Sequence, residues 1–200
     1  MKQYPVAKEG WPFLAFLAIL TVIIYRMLNW WAVIPAVLFV FVCFFFRNPF
    51  RLVPDEEEVI VAPADGVILN VEERFEDRYI GDNSLKISIF LSIFNVHVNR
   101  SPCEGKIDYV QRIPGKFVMA NRKEAGEINS KNCVGLQTPW GKVLVVQITG
   151  LIARRIVCWA KEGDLLNKGQ RFGLIKFGSC TELYLPRNVV LNVKPGDKVK

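Results

Sequence analysis

A single histidine, His97, serves all 200 residues of this chain. That scarcity excludes a zinc site of the usual histidine-based kind. Cysteine is present but unpatterned: Cys43, Cys103, Cys133, Cys158 and Cys180 are odd in number and form no Cys-x-x-Cys pair. Such usage argues against a disulfide framework and for a reducing compartment around the folded part. There is no dense basic block and no nucleic-acid motif, so the net charge of +7 does not mark a nucleic-acid binder. Beyond residue 50 no convincing amphipathic helix can be read; only 120–128 has room for a short one.

What the chain has in quantity is apolar. Hydrophobic residues make up 51% and mean hydropathy is +0.22, high for a purely soluble chain. The excess is concentrated between residues 11 and 46, where Arg26 and Asn29 are the chief interruptions. A single long span would bury both at membrane depth, which is costly. They divide the stretch into two legs, about 11–28 and 30–46, near the roughly 20 residues that cross a bilayer. Trp11, Trp30 and Trp31 stand where interfacial aromatics belong, and Arg26 can snorkel. Lys2 and Lys8 precede the pair and Arg47 and Arg51 follow it, so both ends are expected in the cytoplasm. A signal peptide would have one apolar core and not two in succession. The short legs also suit a shallow hairpin that does not fully cross. The expected organisation is a membrane hairpin over 1–50 and a second domain over 51–200. A mild basic excess beside such an anchor suits an anionic lipid surface.

From residue 59 the pattern becomes short strands between turn signals. Segments 59–62, 67–71, 85–90, 106–113, 134–138, 142–149, 154–159, 172–177 and 189–193 read as strands. Pro63-Ala64-Asp65-Gly66, Pro114-Gly115, Pro139-Trp140-Gly141, Gly163-Asp164 and Pro195-Gly196-Asp197 punctuate them. The predicted fold is mainly β, a sandwich or hybrid barrel behind the helical hairpin. The turns at 167–170 and 194–197 resemble those of biotinyl/lipoyl-type hybrid barrels.

The stretch Gly173-Leu174-Ile175-Lys176-Phe177-Gly178-Ser179-Cys180 admits two readings. One is a strand running into a Gly-Ser turn. The other is chemical: a serine hydroxyl behind the carbonyl of its preceding residue can attack that peptide bond, and a glycine there removes hindrance. Upstream lie Gly150-Leu151-Ile152-Ala153-Arg154-Arg155-Ile156-Val157 and Gly169-Gln170-Arg171-Phe172. Earlier still are Arg47-Asn48-Pro49-Phe50-Arg51, Ala62-Pro63-Ala64-Asp65-Gly66 and Phe90-Leu91-Ser92-Ile93-Phe94-Asn95-Val96-His97. In this order, the set resembles the short form of the phosphatidylserine decarboxylase family.

The resemblance implies a proenzyme that cuts itself between Gly178 and Ser179. Ser179 attacks the Gly178 carbonyl, and the resulting ester eliminates and hydrolyses to a pyruvoyl group, the only cofactor, with no metal. Through a Schiff base to that group, phosphatidylserine would lose CO₂ and leave as phosphatidylethanolamine. His97 would take the Ser179 proton and Asp65 would orient and stabilise the imidazolium. Asn95, His97 and Asn99 share one strand face. Longer relatives carry Asp-Tyr-His-x-x-His here, whereas this chain has Asn95-Val96-His97-Val98-Asn99-Arg100. That departure leaves open self-cleavage, carbanion protonation or both for His97. Arg154 and Arg155 are candidates for the substrate's anionic groups, and being adjacent on a strand they face opposite sides. The implied partners are a membrane phospholipid and the two chains of one precursor, which remain associated; a homo-oligomer is compatible with this. The implied location is the cytoplasmic side of the cell membrane. Rival readings are a decarboxylase of another serine-headed lipid, archaetidylserine-like, and a non-enzymatic hybrid-barrel carrier or adaptor.

Overall fold

The computed structural model describes residues 4–56, 58–120, 122, 124–151, 155–176 and 179–200. Two compact units emerge, Met1–Arg51 and Leu52–Lys200.

In the first unit, α1 (Trp11–Leu28) carries Pro12 in its first turn and no buried residue. A 3₁₀ turn, Asn29–Ala32, separates it from α2 (Val33–Phe45). Asn29 takes φ 48°, a left-handed backbone that Asn tolerates and that breaks the helix. The residues flanking the two helices lie side by side. Val6 bridges Arg47, the Ala7 N–H donates to the Phe46 carbonyl at 2.8 Å, and the Phe13 and Phe46 rings stack at 5.9 Å. Lys8–Phe45 is long and apolar enough to cross a membrane, with its large side chains turned outward.

The second unit is mainly β. Its large curled sheet holds β1 (Gly66–Glu76), β2 (Asp82–Leu91), β4 (Gly105–Ile113), β5 (Lys131–Thr138), β6 (Gly141–Ile148), β8 (Leu165–Leu166), β10 (Ser179–Pro186) and β11 (Lys198–Val199). The strand order is β11-β1-β2-β10-β6-β5-β4-β8, antiparallel throughout. A small sheet, β3-β9-β7, comprises β3 (Val98–Arg100), β7 (Arg155–Cys158) and β9 (Arg171–Lys176). The short helix α3 (Ala125–Ile128) falls within the segment that had room for one.

Both faces of the central strands are buried. Leu91, Val134, Leu136, Val143, Val145, Leu183 and Leu185 form the main core on one face. Cys133, Leu144, Val146, Ile148, Cys180 and Tyr184 pack on the other. Strands covered on both sides lose the apolar–polar alternation that marks a half-exposed strand. Two segments expected as strands are not. Residues 59–62 and 189–193 have no ladder partner. They pack Ile60, Ala62, Val189, Leu191 and Val193 against the core as irregular chain, because alternating apolar residues can be buried without a neighbouring strand to bond.

One row of paired residues orders the molecule: Ile113–Lys131–Ile148–Cys180–Phe90–Val67. Strands β2, β4 and β6 therefore end, and β1, β5 and β10 begin, along the same edge of the large sheet.

Candidate active site

Ser179 opens β10, pairs with Leu91 and is fully buried. Its Oγ has no hydrogen-bond partner among the described residues. Buried hydroxyls are nearly always paired, and an orphan costs about 1–3 kcal/mol. β9, in the small sheet, ends at Lys176, and β10, in the large one, begins at Ser179. Gly178, the other half of the predicted cleavage bond, lies outside the described residues, as does Arg154.

His97 comes to the same place by a different route. β2 ends at Leu91, and the chain returns through 92–97 into β3. The Ile175 N–H donates to the His97 carbonyl at 3.1 Å, extending the β3–β9 ladder by one residue. His97 thus lies beside Ile175, four residues ahead of Ser179. Its ring is buried, and Nδ1 stands 2.9 Å from the Asn95 carbonyl. A carbonyl can only accept, so Nδ1 carries the proton and the neutral ring keeps its lone pair on Nε2. Asp65 is half-exposed in the turn before Gly66, at the start of β1. That turn is tied to β3, for the Pro63 carbonyl accepts from the Arg100 N–H at 2.9 Å. The fold brings the segments bearing Asp65, His97 and Ser179 to one edge. Arg155 opens β7, opposite Lys176, and is exposed.

A feature absent from the candidate residues lies immediately behind them. Asn132 Nδ2 donates to Gln147 Oε1 at 3.0 Å, Gln147 Nε2 to Asn99 Oδ1 at 2.8 Å, and Asn99 Nδ2 to Thr181 Oγ1 at 3.0 Å. All four side chains are buried. The relay crosses from β5, β6 and β10 of the large sheet to β3 of the small one. Gly173 makes room for it: a Cβ there would stand 2.8 Å from Gln147 Nε2 and 2.4 Å from the Val157 carbonyl. The signal in sequence was an amide interrupting an apolar run, as in Val145-Val146-Gln147-Ile148.

The opposite face of β10 is different. Cys180 points there, and burial pushes its thiol pKa up. Beside it Lys86 Nζ is 2.9 Å from Glu182 Oε1, and the Tyr184 hydroxyl donates to Glu182 Oε2 at 2.9 Å. Alternation along the strand separates this charged cluster from Ser179.

The family model for phosphatidylserine decarboxylase matches residues 38–200. The chain belongs to the phosphatidylserine decarboxylase family. It is 51% identical to the phosphatidylserine decarboxylase proenzyme of Carboxydothermus hydrogenoformans over 96% of this chain and 91% of that protein. The proenzymes of Symbiobacterium thermophilum and Syntrophus aciditrophicus are 46% and 42% identical, over 100% and 98% of this chain and 93% of each relative. In this family member the position three residues after the histidine is Arg100, whose Nη1 donates to the Gly169 carbonyl at 3.0 Å. Among the described residues no group of three or more His, Cys, Asp or Glu could hold a metal ion.

Proposed function

We propose that the chain is the proenzyme of a membrane-bound phosphatidylserine decarboxylase that cuts itself between Gly178 and Ser179. The observation that carries this reading is the buried, unpartnered Ser179 Oγ at the passage between two sheets, in a chain 51% identical to a named proenzyme.

His97 Nε2, not hydrogen-bonded to Ser179 Oγ in this structure, accepts the Ser179 proton directly or through one water, the Asn95 carbonyl holds the ring in the matching tautomer, and Asp65 stabilises the imidazolium. Ser179 Oγ attacks the Gly178 carbonyl carbon, and the Gly178–Ser179 C–N bond breaks as the ester forms. Abstraction of the Ser179 α-proton expels the carboxylate of residues 1–178, and hydrolysis of the resulting enamine releases ammonia.

The orphaned hydroxyl fits this conversion, since Ser179 supplies the atoms of the pyruvoyl group and no other side chain need hold it. The pyruvoyl ketone, once formed, supplies an electron sink for loss of CO₂ from the serine headgroup. Arg155 binds the lipid's phosphate or carboxylate, and His97 returns a proton to the product carbon. Burial of the site excludes water. The helices of the first unit anchor the enzyme, with the β unit on the cytoplasmic side. The chain 179–200 supplies β10, bonded on both sides, and β11, so the two chains stay together.

Intact mass spectrometry of the purified protein tests this. Two masses, with the smaller fragment resistant to Edman degradation, are expected. An active protein that remains one chain with serine at 179 overturns it.

A further inference from the structure

The edge of the large sheet that carries Ser179 also carries exposed apolar side chains on three separate loops. Phe94, after β2, is 63% exposed; Phe117 and Met119, after β4, are 38% and 48% exposed; Leu151, after β6, is 52% exposed. Those three strands end together in the paired row described above, so the loops lie at the edge where β10 begins with Ser179. Water gives no reason to hold large apolar groups out in this way.

Two of the three segments are also tied together, at Val118 and Thr149. Asn129 is fully buried; its Oδ1 accepts from the Val118 N–H at 2.8 Å, and its Nδ2 donates to the Val118 carbonyl at 2.9 Å and the Thr149 carbonyl at 2.7 Å. One buried amide thus fixes the segments presenting Met119 and Leu151.

Charge is distributed to match. Lys116 and Arg155 are exposed at this edge, and Glu124 is offset by Arg122 at 3.6 Å. Around the far turn after β1, the exposed Asp77 and Asp82 bring acidic charge, Glu73 is paired with Arg187 at 2.9 Å, and Phe75 is exposed. Apolar tips beside Lys116 and Arg155, with Glu124 and Glu127 each held in an ion pair, suit an anionic bilayer surface, where the tips enter the acyl boundary and the cations meet headgroups.

We propose that Phe94, Phe117, Met119 and Leu151 form a second membrane-contact surface, distinct from the N-terminal helices, which seats the mouth of the site on the lipid bilayer. The inference rests on the reading of the substrate as a bilayer lipid, but it can be tested without turnover. Full-length protein, with Cys43 and Cys158 replaced by Ser, is given a single labelling site, Met119→Cys, Leu151→Cys or, as a control at the far end, Trp140→Cys. Each is labelled with an environment-sensitive fluorophore in vesicles of phosphatidylcholine and phosphatidylglycerol. Nitroxides placed high on the acyl chains should quench 119 and 151 and spare 140. Equal quenching at all three sites, or none at 119 and 151, overturns the proposal.

A second measurement uses the double variant Met119→Ser/Leu151→Ser. It should mature normally and act normally on dispersed short-chain phosphatidylserine. On bilayer phosphatidylserine, kcat/KM should fall on the order of tenfold, from the apolar burial lost. An equal fall on both substrates overturns the surface role. Loss of activity on either substrate by the parent protein, with quenching intact, would count against the decarboxylase reading alone.

Discussion

Asn99 Nδ2 donates a 3.0 Å hydrogen bond to Thr181 Oγ1 across 82 residues of chain, and both side chains are fully buried. The contact joins the small sheet to the large one. Residues two apart share a strand face, so His97 lies one repeat before Asn99 and Ser179 one repeat before Thr181. Both strands run away from the point where β9 becomes β10. Clamping Asn99 to Thr181 therefore ties the strand that follows His97 to the strand that begins at Ser179.

Gln147→Met should test the clamp. It keeps the side chain's length but leaves Asn99 Oδ1 and Asn132 Nδ2 without their partner, at a cost of about 1–3 kcal/mol. Misplacement by about 1 Å can cost 10²-fold in rate, so maturation should slow by about tenfold or more. Stability is measured by thermal unfolding in a Ser179→Ala background, where no cleavage intervenes. Normal maturation with only a lowered Tm would show that the relay serves folding alone. Gly173→Ala should be worse, because the Val157 carbonyl it meets belongs to the backbone and cannot swing aside.

His97→Ala should leave most of the chain uncut. Losing a general base costs on the order of 10²–10⁴-fold. The sign with pH follows: as pH falls and the imidazole gains a proton, Nε2 can no longer accept one, so maturation of the wild type slows on the acid side. Band intensities of precursor and small chain over time give the rate. Normal maturation of His97→Ala, with CO₂ release lost, would move the residue to the decarboxylation step.

The mature protein should keep its small chain without a covalent link. β10 lies between β2 and β6 and contributes Cys180, Leu183, Tyr184 and Leu185 to the two cores. Size exclusion in non-denaturing buffer should recover both chains in one peak, separating only in denaturant. A small chain lost under native conditions would contradict the central placement of β10.

Two buried thiols predict an alkaline weakness. Burial pushes the Cys103 pKa from 9.0 up to about 12 and the Cys133 pKa up to about 11. The unfolded chain releases these protons first, so from about pH 9 upward it binds fewer than the folded state and stability falls. Denaturant midpoints should decline between pH 9 and 11, and less steeply in Cys103→Ala. Iodoacetamide at neutral pH should leave both thiols unmodified in the folded protein, since the thiolate is the reactive form.

Much of this architecture was legible in the chain. The run of apolar residues broken near Asn29 lies in two helices, as its pattern suggests, and the turn residues at 139–141 and 163–164 punctuate strands by local backbone preference. The Phe177-Gly178-Ser179 triplet and its flanking motifs propose the candidate bond by order alone, and 177 and 178 lie outside the described residues. Other features depended on the assembled molecule. Periodicity cannot tell whether 59–62 or 189–193 finds a strand to bond, since that depends on what lies beside them. Nor could it find the partnership of Asn99, Gln147, Asn132 and Thr181, which lie on four different strands. Propensity and pattern act between near neighbours in the chain. The partner of a buried amide is chosen by sheet stacking and register, and these exist only once distant strands have packed.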